Sequence, residues 1–224
     1  MEKELENLNL KEAIEAVLKA YPEGVVFSTS FGQEDQVISD VIFKEKLDVE
    51  VFTLDTGRLF PETYELMDKT KARYKTSFKT YFPETQQVEN LVADKGFNSF
   101  YESVENRKEC CKIRKIVGLK RAIAGKKVWI TGIRAEQSEN RSEAKIWEWD
   151  EVNAVFKFSP LINWSLSEVE EYLKSHNVPQ NSLHAKGFVS IGCQPCTRAI
   201  TAGEEARAGR WWWEESQKEC GLHK

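Results

Sequence analysis

Gly24-Val-Val-Phe-Ser-Thr-Ser-Phe-Gly-Gln-Glu-Asp35 begins as an apolar run, passes through small and hydroxyl residues, and leads into Val37, Ile38, Val41 and Ile42 at helical spacing. A short, continuously apolar run suits a strand buried on both faces, and the change to a 3.6-residue period places a helix directly after it. The same alternation extends to either side. Leu10, Ile14, Val17 and Leu18 share one helical face upstream, while Val49-Glu-Val-Phe-Thr-Leu54 reads as a second strand and Pro61-Glu62 as the first turn of a further helix. Phe78 to Phe82 and Lys127-Val-Trp-Ile-Thr131 read as later strands. This βαβ rhythm predicts an α/β fold with an open, mainly parallel sheet flanked by helices.

From Ile146 the pattern shortens to two strand-like pieces, Ile146-Trp-Glu-Trp149 and Val155-Phe-Lys-Phe158, before a helix that opens with Ser165 and Glu168 at capping-box spacing. No repeat or linker divides the chain, so residues 1–224 are expected to form one domain. Residues 199–224, rich in Gly, Arg and Trp, are expected to be a mobile catalytic segment at its end.

The chain is 224 residues long with a formal net charge of -4. That length can bury a full core without crosslinks. That charge argues against sequence-independent nucleic-acid binding, which needs a broad basic field. The acidic start, Met1-Glu-Lys-Glu-Leu5, has no apolar signal region, and no run is long enough to cross a bilayer. A cytoplasmic protein with no membrane or nucleic-acid partner is expected, its oligomeric state left open, a homo-oligomer included. In a reducing compartment its five cysteines are expected to be ligands or catalysts rather than bridges.

Three loops at strand carboxyl ends carry the chemistry of anion binding. In the first, Ser28, Ser30 and Gly32 allow backbone N–H groups and hydroxyls to face a phosphate at a helix N-terminus. No Walker loop and no Gly-x-Gly-x-x-Gly is present. The second, Leu54-Asp-Thr-Gly-Arg-Leu-Phe-Pro-Glu-Thr63, supplies Leu54 and Thr56; the third, from Thr131, supplies Gly132, Arg134 and Arg141. In doubly wound sheets that edge is where ligands bind.

The cysteines divide into Cys110-Cys111, Cys193-x-x-Cys196 and a solitary Cys220. A Cys-x-x-Cys pair alone is shared by zinc sites, redox motifs and iron–sulfur proteins. Adjacent cysteines are uncommon around a single zinc ion, whereas a multi-iron cluster offers neighbouring thiolates separate corners. Basic Lys112, Arg114 and Lys115 follow the first pair, and Lys218, His223 and Lys224 surround Cys220, where they favour the nucleophilic thiolate.

Six stretches together resemble the assimilatory adenylyl-sulfate (APS) reductases, the cluster-containing branch of the phosphoadenylyl-sulfate (PAPS) reductase family. They are Ser30-Phe-Gly-Gln-Glu-Asp35, the Leu54 to Thr63 loop, Cys110-Cys111, Ile191-Gly-Cys-Gln-Pro-Cys-Thr-Arg198, Arg207-Ala-Gly-Arg-Trp-Trp-Trp-Glu214 and Lys218-Glu-Cys-Gly-Leu-His223. The resemblance spans residues 22–223 and implies an adenine-nucleotide α-hydrolase-like fold. It implies a 4Fe-4S cluster on Cys110, Cys111, Cys193 and Cys196, with Lys115 reaching toward both cluster and sulfate. Arg207 and Arg210, on one face if helical, match the family's anion-binding pair, Arg141 a phosphate contact, and His223 a substrate contact or helper of the thiolate. One departure is Ala135, where relatives often carry a second basic residue.

The chemistry so implied is attack of Cys220 on the sulfur of APS, with release of AMP and formation of an S-sulfocysteine. With four cysteines committed, no internal thiol remains to resolve that adduct, so thioredoxin or a glutaredoxin-like dithiol is expected as partner. Three alternatives share parts of this pattern: a PAPS or dual-specificity reductase, an ATP pyrophosphatase-type enzyme, and a nucleotide-binding iron–sulfur sensor without turnover. Of the three adjacent tryptophans, Trp211 to Trp213, one or two rings are expected to pack inside and anchor the tail. His184 and His176 are expected to be structural.

Overall fold

The computed structural model describes residues 1–138 and 141–215, so Cys220 and His223 lie outside the described residues. In chain order the elements are α1 (Glu2–Leu5), α2 (Leu10–Ala20), β1 (Val25–Ser28), α3 (Gln33–Lys44), β2 (Glu50–Leu54), α4 (Pro61–Tyr74), β3 (Lys79–Tyr81) and α5 (Thr85–Lys95). They continue with α6 (Val104–Cys111), α7 (Val117–Ile123), β4 (Val128–Ile130), β5 (Trp147–Asp150), β6 (Val155–Phe158) and α8 (Leu166–Ser175). The six strands form one sheet in the order β3-β2-β1-β4-β6-β5. All neighbouring pairs are parallel except β5 with β6, which closes one edge antiparallel.

Successive strand residues point to opposite faces, and the two faces have separate cores. Val25, Phe27, Val51, Val128 and Ile130 pack with the apolar stripes of α2, α3 and α8. Val26, Phe52 and Trp129 turn the other way, against Leu119, Ala122 and Ile123 of α7. Each large apolar side chain fully buried contributes roughly 1.5–3 kcal/mol, so β1 and β4 are stabilised only with helices on both sides. This is why their sequence is apolar without alternation.

Helix starts follow local chemistry. The Ser165–Glu168 capping box forms in both directions at α8, Asn9 and Glu12 form another at α2, and Pro61 occupies the first turn of α4. From β1 the chain steps outward to β2 and β3, then crosses to β4 on the other side of β1. That reversal leaves a crevice at the carboxyl ends of β1 and β4, the usual ligand position in such sheets.

Two features depart from regular structure near that crevice. Between α6 and α7, Lys112–Ile116 form a π-helical turn, a local widening often found at functional sites. The helical spacing of Arg207 and Arg210 is not used. Residues 207–209 form a turn closed by Arg210 N–H donating to Arg207 C=O at 2.9 Å, and Arg210 bridges antiparallel to Thr197. The cause is the close backbone approach at Gly209, where a Cβ would stand 2.3 Å from the Arg198 carbonyl oxygen.

Candidate active site

The crevice opens into a cleft of about 420 Å³, within the ~300–1,000 Å³ typical of small-molecule sites. Ser28, Ser30, Gly32, Leu54, Gly132, Arg141, Arg207, Arg210 and Lys115 all line it. The three loops expected to bind an anion therefore converge. Thr56 is not on this lining. Its hydroxyl lies 3.2 Å from Cys193 Sγ, and its carbonyl accepts Arg114 Nη1 at 2.8 Å, which places it at the cysteines instead.

The first loop is organised by a residue that sequence reasoning left without a role. Asp35 is buried, and its Oδ2 accepts both the backbone N–H of Ser30 at 2.5 Å and the Ser30 hydroxyl at 2.7 Å. Burial raises its carboxyl to about 6, against the lowering effect of the two Ser30 bonds. The Ser28 oxygen accepts Trp129 Nε1 at 2.8 Å. Thus both serine side chains shape the loop. Phe31, next after Ser30, takes a left-handed φ of 61°, a strain that persists only where surrounding contacts impose it. Gly132 is needed because a Cβ there would sit 2.2 Å from Asp35 Oδ1.

At one side of the cleft Arg134 is held by Glu34 at 2.8 Å, Glu136 at 3.2 Å and the Trp164 carbonyl at 3.3 Å. Arg141, further along this loop, also lines the cleft and donates Nη1 to Gln137 Oε1. Arg210 lies over the Trp211 ring at 4.7 Å and donates to Ser190 at 3.3 Å. It is packed so tightly on Gly192 that a Cβ there would be 2.2 Å from its guanidinium. His184 keeps Nδ1 2.8 Å from the Phe188 carbonyl, and burial lowers its pKa, as suits a structural histidine.

All four paired cysteines line a second, smaller cavity, together with Arg58, Phe100, Arg107, Arg114, Lys115 and Pro195. Cys110 and Cys111 end α6, while Cys193 and Cys196 bracket a single 3-10 turn, Gln194–Cys196. The Gln194 N–H donates to the Arg58 carbonyl at 2.8 Å, pinning that turn to the loop after β2. Burial, followed by the neighbouring Cys193 and Cys111 thiols, pushes Cys196 up to about 12. Burial also raises Cys110, opposed by Arg114. Such thiols ionise readily only when a cation is bound among them. Two buried guanidinium nitrogens on the lining, Arg58 Nη1 and Arg114 Nε, have no partner among the described residues. Donors left so await an anionic group. Among the described residues no three His, Cys, Asp or Glu side chains converge closely enough to hold a single metal ion.

Lys115 lines both the cleft and the cysteine cavity. Cys110, Cys111, Arg114 and Lys115 border one space from a single stretch, where α6 runs into the π-helical turn. Of the tryptophans, Trp211 is buried against Cys111 and Cys196, Trp213 packs on Tyr101 at 4.4 Å, and Trp212 is exposed. Arg58 stands within the Leu54 to Thr63 motif but was given no role there, and Arg107 had no signal beyond its charge.

A profile of the phosphoadenosine phosphosulfate reductase domain matches residues 24–199. The adenosine 5'-phosphosulfate reductase of Allochromatium vinosum is 49% identical over 203 residues, covering 90% of this chain and 79% of that protein. In structure, the phosphate complex of phosphoadenylyl-sulfate reductase from Candida auris aligns with a TM-score of 0.73 and 27% identity over 89% of this chain and 94% of that one. The NH3-dependent NAD synthetase of Campylobacter jejuni aligns at a TM-score of 0.53 and 15% identity, over 75% and 71% of the two chains, a likeness of fold alone.

Proposed function

The chain belongs to the phosphoadenosine phosphosulfate reductase domain family, and on that premise we infer that it reduces APS to sulfite and AMP with electrons from an external dithiol protein, thioredoxin or a glutaredoxin-like reductant. The observation that carries this reading is Lys115, whose position on both cavities puts one cation between a nucleotide-sized cleft and four clustered thiols.

The adenosine end of APS enters the crevice past Ser28, Gly32 and Gly132, with Leu54 as an apolar wall. Arg141, Arg207, Arg210 and Lys115 meet the phosphate and sulfate. These fixed cations offset the repulsion between an anionic substrate and an approaching thiolate. Cys220 attacks the sulfonate sulfur: an S–S bond forms, the S–O bond to the phosphate breaks, and AMP leaves with that electron pair. His223 assists by bonding a substrate oxygen or supporting the thiolate. One thiol of the dithiol then attacks Cys220 Sγ, sulfite departs with the S–S electron pair, and the second thiol closes the carrier's disulfide while freeing Cys220. The two electrons come from the dithiol.

Cys110, Cys111, Cys193 and Cys196 would hold a 4Fe-4S cluster. Four thiols around one cavity and the two guanidinium nitrogens without a partner among the described residues suit an anionic tetrathiolate group. When bound, the cluster supplies fixed charge beside the sulfonate and ties α6 to the Cys193–Cys196 turn. In the cell this reading places the enzyme in the cytoplasm, in assimilatory sulfate reduction leading to cysteine, with residues 199–224 as the segment that delivers Cys220. No described helix is long and apolar enough to cross a membrane.

Intact mass measurement of reduced protein mixed with APS, before any thioredoxin, tests substrate, nucleophile and intermediate together. A sulfonate mass gain confined to Cys220, with release of AMP, is expected; an unmodified Cys220 would sink the reading. The likeness to the Candida auris enzyme favours one second reading, use of PAPS as well, which competition between the two nucleotides for sulfite release decides.

A further inference from the structure

One buried charge pair joins the wall of the cysteine cavity to the start of the terminal segment. Arg107, on the helix that ends in Cys110 and Cys111, donates Nε to Glu214 Oε1 and Nη2 to Glu214 Oε2, each at 2.9 Å. The two side chains are 0% and 3% exposed. The same guanidinium hydrogen-bonds Cys111 and lies over the Trp211 ring at 4.7 Å from its centroid. Arg210 also lies over that ring at 4.7 Å, so the indole is bordered by two guanidinium groups. Trp211 takes a left-handed φ of 40°. Its backbone N–H donates to the Cys196 carbonyl at 3.2 Å, and the Glu214 backbone N–H donates back to the Trp211 carbonyl at 3.0 Å.

Arg107 therefore touches a cavity thiol, an indole shared with the cleft and a carboxylate on the tail. Removing two charges from water costs so much that an apolar pair of equal volume holds a fold as well or better. What a bidentate fork adds is orientation. Cys220 follows Glu214 by six residues, and six residues extend at most about 20 Å. Chain length alone thus keeps Cys220 within about 20 Å of Glu214.

We propose that Arg107 and Glu214 are a positioning pair, which fixes the base of the terminal segment against the cysteine cavity so that Cys220 meets the sulfonate among Lys115, Arg207 and Arg210. This rests on the reading that Cys220 is the nucleophile toward APS. The pair acts through Cys220 and touches no substrate itself.

Glu214→Gln keeps the size but replaces one acceptor oxygen with an NH2 donor and removes the charge, and Arg107→Lys keeps the charge but removes the fork. At saturating APS, the single-turnover rate of mass gain at Cys220 is expected to fall about 10²-fold in each variant, the penalty for roughly 1 Å of misplacement. In Glu214→Gln, AMP affinity and iron per chain are expected to stay at wild-type values. In parallel, the pH midpoint of Cys220 alkylation by iodoacetamide with AMP bound is expected to rise in the variants toward that of a free thiol, about 8.5. Wild-type sulfonation in both variants overturns the proposal, and so does a loss of rate that only accompanies lost iron and lost AMP affinity. If wild-type protein gains no mass from APS, the function assigned above fails; the alkylation midpoints still judge the pair, and equal midpoints overturn it.

Discussion

Asp35 shows how one side chain in the wall of a cleft can shape a binding loop. Its carboxylate closes the Ser30 turn and occupies the space that makes Gly132 obligatory. Because burial raises its pKa from 3.8 to about 6, the folded state holds a proton that the unfolded chain releases near pH 4. Stability is therefore favoured below the unfolded value and is lost as pH rises from about 4 to 6, by roughly 3 kcal/mol if the shift is fully expressed. Asp35→Asn cannot ionise, so the wild type is expected to lose ground to it as pH rises from 4.5 to 6.5, read from urea midpoints at each pH. A difference independent of pH would show that Asp35 is ionised throughout. A separate expectation concerns Cys220→Ser: it is expected to match the wild type in iron per chain and AMP affinity yet produce no sulfite. Substantial turnover by that variant would remove Cys220 from the mechanism.

Elements explain what could and could not be read in advance. The buried strand β1 and the helix α3 that follows it were legible because period and apolarity agree along Val25 to Ile42, and the capping spacing at Ser165 is local chemistry. The π-helical turn was not legible, since Lys112 to Ile116 has the composition of an ordinary helix and widens through its surroundings. Nor does spacing reveal the turn at residues 207–209, where the approach of the Arg198 backbone overrides a helical reading. The motif loops predicted the cleft lining well, but Thr56 turned to the cysteines, because a loop reverses direction within two residues while a sequence string does not show it. Gly209→Ala tests this element directly. A Cβ that meets a carbonyl oxygen at 2.3 Å must displace the turn, and AMP affinity is expected to weaken roughly tenfold, about 1.4 kcal/mol, in a protein that remains folded by circular dichroism. Unchanged affinity would mean that the arginines of this turn do not hold the nucleotide.

At the scale of the whole molecule, the two cysteine pairs lie about eighty residues apart in the chain yet border one cavity. A group bound there closes a long loop, so its binding energy is also folding energy. Cys193→Ser is accordingly expected to lose iron and unfold at lower denaturant, with hydrogen exchange accelerating at residues 104–116 and 187–198 before the sheet. An iron-free variant of undiminished stability and activity would refute that coupling. The long-range partners of this region, Arg107 with Glu214 and Gln194 with Arg58, join residues too distant for any local pattern to announce. The π-helical turn has a consequence of the same reach. Since α7 is geared to the sheet through Leu119, Ala122 and Ile123 while α6 presents Cys110 and Cys111, the surplus residue between them sets the rotational phase of one helix against the other. Deleting a single residue from 112–116 would smooth the helix and improve its hydrogen bonding, and would also swing everything upstream by about 100°. A change that looks like repair would then disengage the sulfurs from their cavity.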